Sequence, residues 1–382
     1  MKSEGFGDIG EWRQFSAGGG AVPEHFNLQR EPDAQRLRVA RTGDASGMCG
    51  WASPSVSLDG GQYYRLAFSY SSTVEGYWEA QFFRDDWERQ ADFYTAGLPD
   101  TCGTERSVQW FFPGKYHADR CRVVIWPGRQ GAVDMRGPRL NAASDQRAWE
   151  WFCSIGEDVP APRSGSPAEE GARFLKETRR RLEDNSGSSP IRIVSYGDST
   201  GFDVGNAPLD LALERICRGL DVQMHTRGWG SVGWDTLCED SQLRKYIYPV
   251  QPDLVICHGV STEPAKIRVC LPRLINKIRK ECNAELLLVT NHRGTGPGED
   301  ERGEAHWNEC ARATREVGRD QQCGVVDFRR AMRELMRDSR PPADRLRWYL
   351  RDQQCHLNLR GRYVALDTIL RHLMPGESIA DL

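Results

Sequence analysis

The hydrophobic pattern of the chain changes character once along its length. From about residue 6 to 143, short runs alternate or are rich in aromatic and β-branched residues. Tyr63–Tyr70, Tyr77–Phe83, Ser107–Phe112 and Cys121–Trp126 are the clearest. Turn signals separate them, at Asp59-Gly60-Gly61, Pro113-Gly114 and Pro127-Gly128. Period-two runs bounded by Gly and Pro predict strands. With no helix-period segment between them, they predict an antiparallel sandwich or jelly roll.

From about residue 191, apolar strand-like runs alternate with amphipathic ones. Strands are expected at Ile191–Tyr196, Asp221–Thr226, Leu254–His258, Leu286–Asn291 and Gly324–Asp327, with helices near 206–219, 234–246, 264–282, 301–318 and 358–373. Parallel strands need crossovers, so this order predicts an α/β fold with a five-stranded parallel sheet and helices on both faces. A Pro/Gly/Ser stretch, Val159–Pro167, precedes it. Ser166, Pro167 and Glu169 suit a capping box opening a helix that runs to about Glu183. The expected division is therefore a β-sandwich over 1–145, a linker and lead-in helix over 146–190, and an α/β domain over 191–382.

Composition narrows the function classes. The 382 residues are 39% hydrophobic and 27% charged, enough for two packed cores. The net charge of -3 argues against a general nucleic-acid binder. No apolar run approaches the ~18 residues of a membrane span. Twelve cysteines are scattered without any C-x-x-C pair, which gives no support to a zinc ribbon or a thioredoxin-type site. The opening Met1–Gly7 lacks the apolar stretch of a leader. The expectation is a cytoplasmic protein, or an extracellular or periplasmic one if a leader was removed.

The candidate chemistry centres on Ile191–Gly201. Here an apolar strand enters a tight turn, Gly197-Asp198-Ser199, and a helix follows. Such a turn lifts a serine hydroxyl out at the carboxyl edge of a parallel sheet, beside the N–H groups of a helix start. Serine needs a base to act as a nucleophile. His356 is the favoured base, lying in a polar turn before the last helix, with Asp352 close enough in sequence to orient it. His258 and His292 compete from strand ends, and either could instead line the pocket or satisfy a local hydrogen bond. His306 and His372 read as surface helix residues.

Residues ~170–375 resemble the SGNH, or GDSL-type, hydrolases. Four blocks carry the likeness. Gly197-Asp198-Ser199 is similar to the nucleophile block. Gly230-Ser231-Val232-Gly233-Trp234-Asp235-Thr236 is similar to a G-x-x-G-x-T block. Gly259-Val260-Ser261-Thr262 follows the apolar run Leu254–Ile256 where the family has G-x-N-D. Asp352 to Gly361 is similar to D-x-x-H with a trailing H-L-N-x-x-G. The resemblance implies a flavodoxin-like three-layer αβα domain and a serine esterase. It assigns Ser199 as nucleophile, His356 as base and Asp352 as its orienting acid. The oxyanion hole would comprise Ser199, Gly233 and Ser261. Asp198, His258 and His292 are the candidate substrate-binding residues. No metal and no organic cofactor is implied.

Two departures stand out. Ser261 occupies the place of the family's asparagine. Asp352 and His356 are one residue further apart than the family's spacing, which puts Gln353 at the acid position and leaves open a Ser-His dyad. Two other motifs are weaker. Gly197–Gly201 also fits the G-x-S-x-G elbow of α/β-hydrolases, but here the serine follows the first strand. Gly228–Gly233 fits a dinucleotide motif, but the acidic residue wanted at the end of the next strand is missing.

The N-terminal half resembles, more loosely, the jelly-roll carbohydrate-binding modules of glycan enzymes, through Trp12, Trp51-x-Ser53-Pro54, Gly60–Tyr70 and Gly131–Met135. Trp51, Trp78, Trp87, Trp110 and Trp126 would supply either a sugar-stacking platform or the core. The substrate expected from this pairing is an acylated carbohydrate, most simply an acetyl ester. Open alternatives are a lipase, thioesterase or O-acyltransferase, and a glycan-binding protein with a degenerate esterase domain. Oligomeric state is unspecified.

Overall fold

The computed structural model of the chain describes residues 11–17, 25–42, 48–83, 92–116, 118–128, 130–160, 173–184, 189–228, 230, 232–259, 263–292, 303–337, 349–350 and 355–382. The chain divides into two compact units, Met1–Trp151 and Phe152–Leu382.

The first unit holds eleven described strands: β1 (Arg13–Ala17), β2 (Phe26–Glu31), β3 (Arg36–Arg41), β4 (Met48–Ala52), β5 (Val56–Ser57), β6 (Tyr63–Ser72), β7 (Gly76–Phe83), β8 (Asp92–Leu98), β9 (Arg106–Pro113), β10 (Arg120–Pro127) and β11 (Gly131–Ala143). One sheet runs β1-β4-β10-β7-β8 with β5 beside β10, and the other β2-β3-β11-β6-β9. Their pairings are antiparallel. The alternation in β6 sends Leu66, Phe68 and Tyr70 inward. Rings from both sheets meet around Trp78 of β7, which lies 5.1 Å from Trp110 and 6.1 Å from Phe112 of β9. The two sheets therefore form a sandwich. Trp51, Trp78, Trp110 and Trp126 are all buried, so these four rings pack the protein instead of forming an exposed stacking platform. Trp87 lies outside the described residues.

Helices Asp145–Gly156 and Lys176–Asp184 occupy much of the segment read as linker. The Ser166 capping box lies outside the described residues. The second helix begins at Lys176, and its first N–H groups are satisfied from across the fold: the Glu285 carboxylate accepts from Glu177 N at 3.0 Å and Thr178 N at 2.7 Å.

The second unit carries β12 (Ile191–Gly197), β13 (Val222–Gly228), β14 (Leu254–His258), β15 (Glu285–Val289) and β16 (Gly324–Val326). All pair in parallel, in the order β13-β12-β14-β15-β16. Counting within the unit, this is 2-1-3-4-5, the flavodoxin-like order. The strands are buried on both faces. Val194, Tyr196, Val255, Cys257, Leu286 and Leu288 point into one core with helices Pro264–Cys282 and Gly303–Asp320, while Ile193, Ile256 and Leu287 are equally buried on the other side.

Three local readings need correction. The helix expected over 206–219 is preceded by a separate seven-residue helix, Ser199–Gly205, and spans Leu209–Ile216. The one expected over 234–246 is broken at Cys238 and Glu239 into Trp234–Leu237 and Asp240–Tyr246. An unforeseen helix, Phe328–Leu335, follows β16, with Asp327 as its cap.

Candidate active site

Reversal of strand order makes a crevice at the carboxyl ends of the first and third strands of a 2-1-3-4-5 sheet. Here those are β12 and β14. The turn after β12 is built for close approach. A Cβ on Gly197 would sit 1.6 Å from the His258 carbonyl oxygen of β14, and one on Gly201 would meet the same oxygen at 3.0 Å. Only a residue without a side chain lets the chain leave β12 and start a helix against its neighbour. Asp198 caps that helix. Its carboxylate accepts from Thr200 N at 2.9 Å and from the Thr200 hydroxyl at 2.7 Å. Ser199 is thereby the first residue of the helix, half-buried at the sheet edge.

The structure brings His356 to this serine. His356 Nε2 lies 2.9 Å from Ser199 Oγ, across 157 residues of sequence. For the ring to serve as a base, Nε2 must accept here and the serine hydroxyl donate. Cys355 Sγ lies 3.7 Å from Nδ1 on the other side of the ring. Asp352 and Gln353 lie outside the described residues, as does Ser261. Gly233, named with Ser199 and Ser261 for the oxyanion hole, precedes helix Trp234–Leu237 in extended geometry (φ −91°, ψ 176°). Gly259 sits between the Gly233 block and the serine turn: a Cβ on it would lie 3.3 Å from the Trp234 ring and 3.5 Å from Asp198 Oδ2.

Asp198, His258 and His292, read as substrate-binding candidates, are fully buried beneath this edge. They form a directed network. His258 Nδ1–H donates to Thr200 Oγ1 at 3.2 Å, and that hydroxyl donates to Asp198. His258 and His292 stack with centroids 5.4 Å apart and planes 8° from parallel, capped edge-on by Phe328. His292 Nε2–H donates to the Cys355 carbonyl, the residue before His356. The network thus joins the serine turn to the histidine loop from below, with no surface open to a ligand.

Sequence reasoning missed a second tie. Asp203 lies one turn after Ser199 on the same helix. Its Oδ2 accepts from Leu357 N at 3.0 Å, immediately after His356, and its Oδ1 accepts from Arg362 Nη2 at 2.8 Å. Both charged side chains are at most 2% exposed. A signal existed for each partner: an acid among apolar residues in Phe202-Asp203-Val204, and an arginine on the buried side of the last helix, Leu359–Leu373. Asn358 starts that helix by accepting from Gly361 N at 3.1 Å.

Burial holds both stacked histidines neutral. It pushes the His258 pKa down against the pull of Asp198, and pushes His292 down to about 3, helped by His258. His372, read as a surface residue, is buried on the last helix, and burial followed by Arg179 lowers it to about 4. An unfolded histidine titrates near ~6.5, so below that pH the unfolded chain binds more protons. Stability should be complete above about pH 6.5 and fall toward acid, at up to roughly 1.4 kcal/mol per pH unit for each such histidine. Thermal midpoints recorded from pH 7 to 4 test this. His292→Gln should flatten the slope, and an unchanged slope would remove His292 from the explanation.

No family model matches the chain, and no curated protein matches it. Among solved structures, it is similar to the acetylxylan esterase Axe2 of Geobacillus stearothermophilus, at 14% identity and TM-score 0.40, over 50% of this chain and 96% of that one. It is similar to the acetyl xylan esterase AlAXEase at 20% identity and TM-score 0.37, over 47% and 98%. A protein of Parabacteroides merdae described as a GDSL-like lipase matches at 15% identity and TM-score 0.39, over 48% and 96%.

Proposed function

We propose that the chain is a serine esterase acting on short acyl esters of carbohydrate. One observation carries the catalytic part: a serine on a capped turn at the sheet's switch point, with a histidine ring nitrogen 2.9 Å from its hydroxyl. As the hydroxyl attacks an ester carbonyl, His356 takes its proton and then delivers it to the leaving alcohol. The Ser199 and Gly233 N–H groups, with Ser261, hold the oxyanion. Water then releases the acyl group by the same route. Asp352 orients His356. Asp198, His258 and His292 act as positioning residues under the site. Ser261 and Asp352 take these roles from the family resemblance alone.

The carbohydrate half of the reading rests on the N-terminal sandwich, which we take as a jelly-roll module of the kind joined to glycan enzymes. That is association, because a fold hosts many functions. Acetate release from acetylated xylo-oligosaccharides and hydrolysis of p-nitrophenyl esters from acetyl to decanoyl test it. Acetyl substrates should be preferred by about tenfold or more over decanoyl, the scale that a pocket of fixed depth imposes. Preference for the long chains would make the protein a lipase, and acyl transfer outpacing hydrolysis when an acceptor alcohol is added would make it a transferase.

A further inference from the structure

The turn that begins at Gly233 is too short to hold itself. Helix Trp234–Leu237 is four residues long, and a first helical turn orders several residues for very few backbone bonds. The first carbonyls are answered from within the turn and its exit. Gly233 O accepts from Leu237 N at 3.1 Å, Trp234 O from Cys238 N at 3.0 Å, Thr236 O from Glu239 N at 3.1 Å, and Asp235 O from Cys238 Sγ at 3.3 Å. The next carbonyls reach other elements. The Tyr196 hydroxyl of β12 donates to Leu237 O at 2.8 Å, and Lys277 Nζ of helix Pro264–Cys282 donates to Cys238 O at 2.9 Å.

These outside ties differ in weight. Lys277 is half-buried and also pairs with Asp240 at 2.7 Å. Lys266 pairs with Asp235 at 2.6 Å, but both side chains are exposed, and an exposed ion pair contributes little. Tyr196 is fully buried, in one cluster with Trp234, Leu237 and Tyr246. Burial pushes its pKa well up, so the phenol stays a donor across the working pH range. Leu237 is buried too, and a buried carbonyl stripped of its donor is costly. The Tyr196 bond is therefore the strong point of the turn's attachment.

Tyr196 also sits where such a bond reaches the chemistry. It lies three residues before Ser199, on the strand that leads into the serine turn. Alternation along β12 turns Val194 and Tyr196 into the same core as Trp234 and Leu237. One strand therefore presents the nucleophile at its end and grips the turn that Gly233 opens. An oxyanion donor works only at the right distance from the nucleophile. Removing one costs ~10²–10³ in turnover, and a misplacement of about 1 Å costs up to ~10².

We infer that Tyr196 is a positioning residue for the reaction at Ser199: its buried hydroxyl, seconded by Lys277, fixes the turn that carries the Gly233 N–H at its working distance from the nucleophile. This rests on the esterase reading above. The test is Tyr196→Phe in the full chain, which keeps every ring atom and removes only the donor. Steady-state hydrolysis of p-nitrophenyl acetate is measured together with inhibition by phenylboronic acid. Ser199 Oγ adds to boron as His356 takes its proton, and a boron-bound oxygen then lies where the oxyanion develops. The variant should lower kcat about tenfold or more and weaken the boronate by a similar factor, with KM nearly unchanged. The pH midpoint of kcat/KM, set by His356, should stay in place. A lower thermal midpoint with kcat and boronate affinity unaltered would make Tyr196 merely structural and overturn the inference. A displaced pH midpoint would route its effect through His356 and overturn it equally. Should Tyr196→Phe not fold, Lys277→Met removes the donor to the next carbonyl from a half-buried site and is read in the same way. A several-fold loss of kcat is expected there, and an unaltered kcat overturns the inference. Turnover by the parent with no loss in the variant removes Tyr196 alone, whereas a parent without turnover removes the esterase reading itself.

Discussion

Replacing Ser199 or His356 with Ala should lower ester hydrolysis by about 10⁴-fold or more: in the proposed mechanism nucleophile and base act as one unit, and losing either leaves only the oxyanion donors and binding. The pair is held by the 2.9 Å Ser199–His356 contact and by the cap at Asp198 that fixes the turn. Both variants should keep the thermal midpoint within a few degrees of the parent, since both side chains sit half-buried at an edge. Steady-state kinetics on p-nitrophenyl acetate reads the result. Asp352→Ala, measured alongside, separates two versions of the mechanism. A loss near ~10⁴ marks a full triad, whereas a loss of only a few-fold leaves a Ser-His dyad and takes Asp352 out of the chemistry.

The second large effect lies one helical turn away. Asp203→Ala should cost about 3–5 kcal/mol of stability, because it removes the carboxylate paired with the buried Arg362 guanidinium. It also removes the acceptor of Leu357 N, which holds the histidine loop to the serine helix. Denaturant midpoints report the first loss and kcat of the folded protein the second. The pair Asp203→Leu with Arg362→Met distinguishes them. Exchanging a buried ion pair for apolar groups of similar volume restores most of the stability, yet Leu357 N still lacks its partner, so kcat should stay low. Recovery of both would make the pair purely structural.

Much of the second unit was legible because parallel strands buried on both faces read as continuous apolar runs. β12 and β14 fall where Ile191–Tyr196 and Leu254–His258 predicted them. In the first unit, β6, β7, β9 and β10 showed as alternating aromatic runs, but β2 did not. Most of its side chains are exposed or half-buried, so it carries no hydrophobic signature. The helix after β16 is only eight residues long, and Arg329 turns inward beside the buried Phe328, Ala331, Met332 and Leu335, which masked its short apolar face. Ser199 and His356 could be singled out from turn chemistry and position. What local sequence could not give is direction. His258 ends β14 and His292 lies three residues past β15, yet both turn inward and stack, an outcome set by Phe328 and by a carbonyl 63 residues away. The Asp203–Arg362 pair joins residues 159 apart, and no periodicity announces such a contact.

The claim on which all else depends is that Ser199 is an activated nucleophile. Treating the protein with a fluorophosphonate and mapping the adduct by peptide mass spectrometry tests it directly. The reading predicts one phosphonylated serine, Ser199, with labelling abolished in Ser199→Ala and strongly slowed in His356→Ala. An unlabelled protein, or an adduct on another residue that persists in Ser199→Ala, would contradict it.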